Sequence, residues 1–157
     1  MNIIVCVKQV PDKNSRFTVR GDGKDIEEKG LTLVLNEFDA YAIETALRLK
    51  EKHGGEVVVV SLGGEKIREV IVRSLAFGAD RAIQLNDAGF EGSDSMATAR
   101  ILAAAIGKEK FDLILTGVMS DDMGYAQTGS MLAELLNHGR DRTSSVRLGA
   151  CERGEER

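Results

Sequence analysis

The residues with most chemistry to offer lie between Thr116 and Ser130, a stretch rich in Gly, Ser, Thr and Asp. Glycines 117, 124 and 129 would let the backbone approach a ligand closely. Gln127, Thr128, Gly129 and Ser130 fall where a helical pattern begins. Their backbone N–H groups and hydroxyls therefore suit a phosphate. Asp122 suits a ribose hydroxyl as an acceptor. An ordinary polar strand-to-helix loop has the same composition, so the loop alone leaves nucleotide binding and simple helix capping equally open.

Two further segments offer contacts. Ser61-Leu62-Gly63-Gly64 could meet a ligand through its backbone, although a plain turn explains it better in isolation. Lys8, within Val7-Lys8-Gln9, could face a phosphate, although a lone lysine at a strand end is more often a solvated charge. Cys6 reads as core packing. Asp121-Asp122 is no metal site by itself, because the other oxygen ligands cannot be named. No Ser-His-Asp set, Walker A pattern or GxGxxG after the first strand is present, and no catalytic residue is assigned.

The elements that must position these segments alternate regularly. Ile3–Val7, Glu56–Leu62, Arg81–Leu85 and Phe111–Thr116 read as strands, mostly continuous apolar runs of the kind found in parallel sheets covered on both faces. Helical periodicity marks Phe38 to His53, with Asn36 as N-cap and Asp39 three residues later in a loose capping box. It recurs through Ile67–Leu75, Ala99–Ile106 and Met131–Leu136. Pro11 to Leu35 reads as a β-hairpin excursion after the first strand, turning at Gly21-Asp22-Gly23. The expected fold is α/β, a doubly wound parallel sheet of strand order 3-2-1-4, with its crevice between the first and fourth strands.

Composition narrows the class. The chain has 157 residues, with 43% hydrophobic and 29% charged, a balance suited to one globular domain. A net charge of −4 argues against nucleic-acid binding, which usually needs a basic surplus. Two cysteines without a paired framework point to a reducing, cytoplasmic setting. No apolar run is long enough for a membrane span, so no membrane insertion is expected.

Several segments together resemble electron-transfer flavoprotein beta subunits. They are Met-Asn-Ile-Ile-Val-Cys-Val-Lys-Gln-Val-Pro-Asp at residues 1–12, Leu35–Glu44 continuing through Ala46–Glu51, Leu75–Ala82, Phe111–Gly117, and the loop ending Gln127-Thr128-Gly129. The resemblance covers residues 1–137. It implies a nucleotide-binding beta subunit, an electron carrier rather than an enzyme. Its partner is an alpha subunit holding most of a shared FAD, and the complex is served by flavin dehydrogenases. The beta chain would bind AMP, or a second FAD in bifurcating members. Carried over by position, the pocket would use Val7, Lys8, Gln9, Asn36, Ser61, Leu62, Gly63, Asp122, Gln127, Thr128, Gly129 and Ser130. Two rivals fit less well. A universal-stress-type ATP-binding module would not need the Pro11–Leu35 excursion, and a PP-loop ATP pyrophosphatase would carry its Ser-Gly-Gly signature after the first strand.

Residues 138–157 break the pattern. They hold only Val146, Leu148, Ala150 and Cys151 as hydrophobic residues, and all their lysine/arginine positions are arginine. The domain is expected to end at residue 137. The polar tail is expected to be disordered or an altered, non-family ending, with Phe111–Thr116 left as an exposed sheet edge.

Overall fold

The computed structural model describes residues 1–27, 29–137 and 145–148. Its centre is the strand β1 (Ile3–Val7), every residue of which is buried. Alternate side chains leave a strand on opposite faces, so a strand apolar at every position needs cover on both sides. Ile3, Val5 and Val7 pack with Ile43 and Ala46 of α1 (Glu37–His53) and Val70 of α2 (Arg68–Phe77). Ile4 and Cys6 turn the other way, to Leu102 and Ile106 of α3 (Ser95–Ile106) and Leu132 of α4 (Thr128–Asn137). The strand β4 (Val57–Leu62) divides its valines between the same two cores. This is the doubly wound α/β arrangement, with helices on each face of one parallel sheet.

Two short strands, β2 (Gln9–Pro11) and β3 (Leu33–Leu35), pair antiparallel as a separate ribbon. Between them a single antiparallel bridge joins Val19 and Ile26 around the Gly21–Gly23 turn. The expected hairpin excursion is therefore present, with its main ladder at the base rather than the tip. The large sheet adds β5 (Arg81–Leu85), β6 (Leu113–Thr116) and β7 (Ser145–Leu148), in the order β5-β4-β1-β6-β7. Every pairing within it is parallel.

The sheet is longer than the four strands expected from sequence. Ser145–Leu148 pairs with Leu113–Thr116, so β6 is an interior strand and not the exposed edge anticipated. The reason is that strand pairing uses backbone groups, and β6 supplies a complete apolar template even for an arginine-containing partner. Residues 138–144 and 149–157, the rest of the anticipated tail, lie outside the described residues.

Local chemistry fixes where β1 begins. Helix α1 ends at Gly54, whose φ is 68°, and Gly55 follows at φ 111°. The backbone of Met1 lies against Gly55 so closely that any Cβ there would overlap it. The Met1 ammonium donates to the Gly54 carbonyl at 2.7 Å. Beyond that end of the sheet, Arg81 bridges Glu56 and Glu109, and Lys50 pairs with Asp80. These ion pairs lie at the opposite end of the strands from the crevice described next.

Candidate functional site

The carboxyl ends of β1, β4, β5 and β6 open into a cleft of about 860 Å³. Of the twelve residues predicted from sequence, Val7, Lys8, Asn36, Leu62, Gly63, Gln127, Thr128 and Gly129 line it. The remaining four are engaged elsewhere. The Gln9 amide donates to the Lys66 carbonyl at 2.8 Å. The Ser61 hydroxyl is buried and donates to the Val7 carbonyl at 2.9 Å, tying β4 to β1. Ser130 is exposed on α4, one residue past the lining.

Asp122 has a partner of its own. The Lys8 ammonium donates to its Oδ1 at 2.7 Å and reaches the Ser120 hydroxyl at 3.3 Å. Partial burial pushes the Asp122 carboxyl upward. The hydrogen bonds from Lys8 and Ser120, with the Lys8 charge, outweigh it and hold the group below the usual carboxylate range. The pair clips the end of β1 to the 117–127 loop.

The start of α1 is held by the same loop rather than by its own residues. Asn36 occupies the N-cap position but makes no side-chain capping bond. Its amide donates to the Met119 carbonyl at 2.9 Å, and its Oδ1 accepts from the Asp121 N–H at 3.0 Å. The Asp121 carboxylate in turn accepts from the Glu37 N–H at 3.3 Å. The expected capping box is thus replaced. A helix end needs its N–H groups satisfied by some acceptor, and here a distant loop supplies it.

Asp39 completes the replacement. Only 5% exposed, it points between two strand ends instead of back at the cap. Its Oδ2 accepts from the Lys8 N–H at 2.7 Å and its Oδ1 from the Gly117 N–H at 3.1 Å. Burial pushes this carboxyl up to about 7, against the pull of the Lys8, Asn36 and Gly117 hydrogen bonds and the Lys8 charge. The same burial, with the nearby Asp39 charge, pushes the Cys6 thiol up to about 12. Cys6 is therefore a packing residue in the wall and no nucleophile.

The loop enters α4 through a strained residue. Ala126 has φ 54° and is the single non-glycine with positive φ among the described residues. The Gln127 carbonyl accepts from the Met131 N–H, so the N–H groups of Thr128, Gly129 and Ser130 stand ahead of the helical ladder. This positive end of α4 borders the cleft through Thr128 and Gly129.

Sequence reasoning missed one wall. Residues 86–95, following β5, contribute Asn86, Asp87, Phe90 and Asp94 among others. Their position after a parallel strand was the available signal, since every such loop opens on the same side of the sheet. Thr116 opened the candidate loop but was not among the twelve assigned residues; its hydroxyl is the one buried side-chain polar atom without a hydrogen-bond partner among the described residues. Thr116 lines the cleft and is 7% exposed. No group of three or more His, Cys, Asp or Glu side chains capable of holding a metal ion occurs among the described residues. Nor is any helix there long and apolar enough to cross a membrane.

The geometry is that of a binding cleft: glycine-bordered, with free N–H groups at one side and apolar wall residues such as Leu62, Leu102 and Leu132. Comparison with known proteins gives it a family. The Electron transfer flavoprotein domain matches residues 24–140. The chain is 42% identical over 139 residues to the electron transfer flavoprotein subunit beta of Methylophilus methylotrophus, covering 87% of this chain and 53% of that protein. It is 40% identical over 141 residues to Protein FixA of Azorhizobium caulinodans, covering 87% and 50%. It is 40% identical over 136 residues to the Clostridium acetobutylicum electron transfer flavoprotein subunit beta, covering 87% and 52%. The chain spans about half the length of these curated relatives. On the domain match and these identities, the chain belongs to the electron transfer flavoprotein family.

Proposed function

We propose that this chain supplies the adenine-nucleotide-binding half of an electron transfer flavoprotein beta subunit. In this reading the cleft takes AMP or the AMP portion of a second FAD. The complex forms with an alpha subunit in the cytoplasm, shields that subunit's FAD, and carries electrons from flavin dehydrogenases to an acceptor. The observation that carries the reading is the passage from β6 through a glycine-containing loop to the N-terminus of α4 at the cleft. Backbone N–H groups and the helix dipole there favour a phosphate. The fit is further supported by apolar Leu62 and Leu132, which offer a surface for a base, and by the glycines, which admit a ligand to the backbone. When bound, a flavin supplies the electron-carrying chemistry. The chain's own residues bind, orient and cover.

The test is nucleotide content. The chain is co-expressed with an alpha subunit, the purified complex is denatured, and the released nucleotide is separated by chromatography. AMP together with one flavin identifies an ordinary member, and two flavins without AMP a bifurcating one. Thr128→Val should lower the retained nucleotide, through loss of one polar contact worth roughly 1–3 kcal/mol. A complex that releases no adenine nucleotide attributable to this chain, or one whose content is unchanged by Thr128→Val, counts against the reading.

A further inference from the structure

The cleft wall formed by residues 86–95 has chemistry of its own. These residues lead from β5 into α3 beside the Ser61-Leu62-Gly63-Gly64 turn. The Gly63 N–H donates to the Leu85 carbonyl at 2.9 Å, and the Gln84 amide donates to the Gly64 carbonyl at 2.9 Å. The wall is also held by short-range bonds of its own. The Phe90 N–H donates to the Asp87 carbonyl at 3.0 Å, and the Ser93 hydroxyl donates to the Phe90 carbonyl at 2.7 Å. Among the described residues, two aromatic residues line the cleft, Phe90 here and Tyr125 in the loop before α4. Phe90 is partly buried, whereas Tyr125 is 62% exposed. We propose that Phe90 is a base-contacting residue, which stacks on the purine of the bound nucleotide and sets how strongly the cleft prefers a nucleotide to the same sugar phosphate without its base.

Distance and charge place the base at this wall. In the order β5-β4-β1-β6, the ends of β4 and β6 lie two strand spacings apart, about 10 Å. That is the reach of an extended nucleoside monophosphate from phosphate to base. With the phosphate at the N-terminus of α4, beyond β6, the base falls at the ends of β4 and β5, against Leu62 and Phe90. Charge opposes the reverse orientation. Residues 86–95 carry the carboxylates of Asp87, Glu91 and Asp94 and no lysine or arginine, so a phosphate here meets like charge. Lys66, the lining lysine that follows β4, is already engaged. A neutral purine escapes that repulsion, and its π face suits an aromatic ring. A wall already fixed by its own hydrogen bonds costs little further ordering when the base arrives.

The inference rests on the nucleotide reading above, and its test separates the two. Binding of AMP and of ribose 5-phosphate is measured by calorimetry, by displacement where it is weak, on the full chain in complex with an alpha subunit after resident nucleotide has been removed. The same titrations are run on Phe90→Ala, Phe90→Leu and Phe90→Tyr. Wild type is expected to bind AMP more tightly than ribose 5-phosphate. Phe90→Ala should weaken AMP about tenfold and leave ribose 5-phosphate unchanged. Phe90→Tyr keeps the ring and should keep AMP affinity. Phe90→Leu keeps an apolar side chain without the ring and should fall short of wild type by about fivefold. Equal AMP affinity in wild type and Phe90→Ala overturns the assignment while leaving nucleotide binding intact. A Phe90→Ala loss shared equally by ribose 5-phosphate also overturns it, as does a Phe90→Leu affinity equal to wild type, since either makes Phe90 a packing residue and not a stacking one. A wild-type complex that binds neither ligand overturns the nucleotide reading and the assignment together.

Discussion

Gly117→Ala tests how the cleft is held open. A Cβ on Gly117 would collide with Asp39 Oδ1 and lie 3.1 Å from both the Asp39 nitrogen and the Phe38 carbonyl carbon. Two of these three atoms are backbone in the first turn of α1, so the strain has little room to relax. The carboxylate is the softer target and must swing away. It then loses its hydrogen bonds from the Lys8 and Gly117 N–H groups. Hydrogen bonds to a charged group contribute about 1.5–3 kcal/mol each, so losing both gives roughly 3–6 kcal/mol. That is a large share of a typical domain stability of about 5–15 kcal/mol. At about 2–4 °C per kcal/mol, the melting temperature should fall by roughly 10 °C. The assay is urea unfolding followed by circular dichroism at pH 8, where Asp39 is ionised in the folded chain. The midpoint should drop with the slope unchanged. In an Asp39→Ala background the obstructed carboxylate is gone, and Gly117→Ala should cost clearly less than it does alone. A Gly117→Ala unfolding free energy within about 0.5 kcal/mol of wild type would refute the clamp, as would fully additive effects in the double variant.

Three other outcomes are expected. The Asp39 carboxyl is raised from 3.8 to about 7 in the folded chain, so the folded state keeps a proton that the unfolded state has already released. Its contribution is fully present below about pH 4 and is lost as pH rises through 7. A stability–pH curve should therefore descend across that window in wild type relative to Asp39→Asn, and parallel curves would contradict it. Ala126→Gly should raise stability by up to about 1 kcal/mol, because the left-handed conformation strains an alanine and not a glycine. A destabilised variant in thermal unfolding would show that the strain is misplaced. Cys6, with its thiol raised to about 12 and its side chain buried, should resist a thiol reagent at pH 8 in a Cys151→Ser background until urea unfolds the chain. Rapid labelling of the folded protein would disprove it.

What the sequence determined by itself was the layered α/β plan and the side of the sheet where a ligand could sit. Ile3–Val7 and Val57–Leu62 are apolar without interruption, and such runs are stable only with cover on both faces. The loop after β6 declared itself by its glycines and hydroxyl residues, and eight of the twelve predicted residues meet in one cleft. What only the tertiary structure decided was which partner each polar group found. Asn36 and Asp39 have the spacing of a local cap and interact with each other, yet their other side-chain partners lie far along the chain. Asp39 reaches a residue 31 positions away and another 78 away. Asn36 reaches across 83 positions to Met119. Residues 145–148 alternate polar and apolar over only four positions, a short strand signal lost in the arginine-rich stretch around it, and the template that makes them a strand is β6. The unpartnered hydroxyl of Thr116 was equally invisible, since a threonine at a strand end has no address until its neighbours are folded around it. Hydrophobic periodicity is a local property and can be read in order. Hydrogen-bond satisfaction of buried groups is a property of the closed structure, and folding alone brings donor and acceptor together.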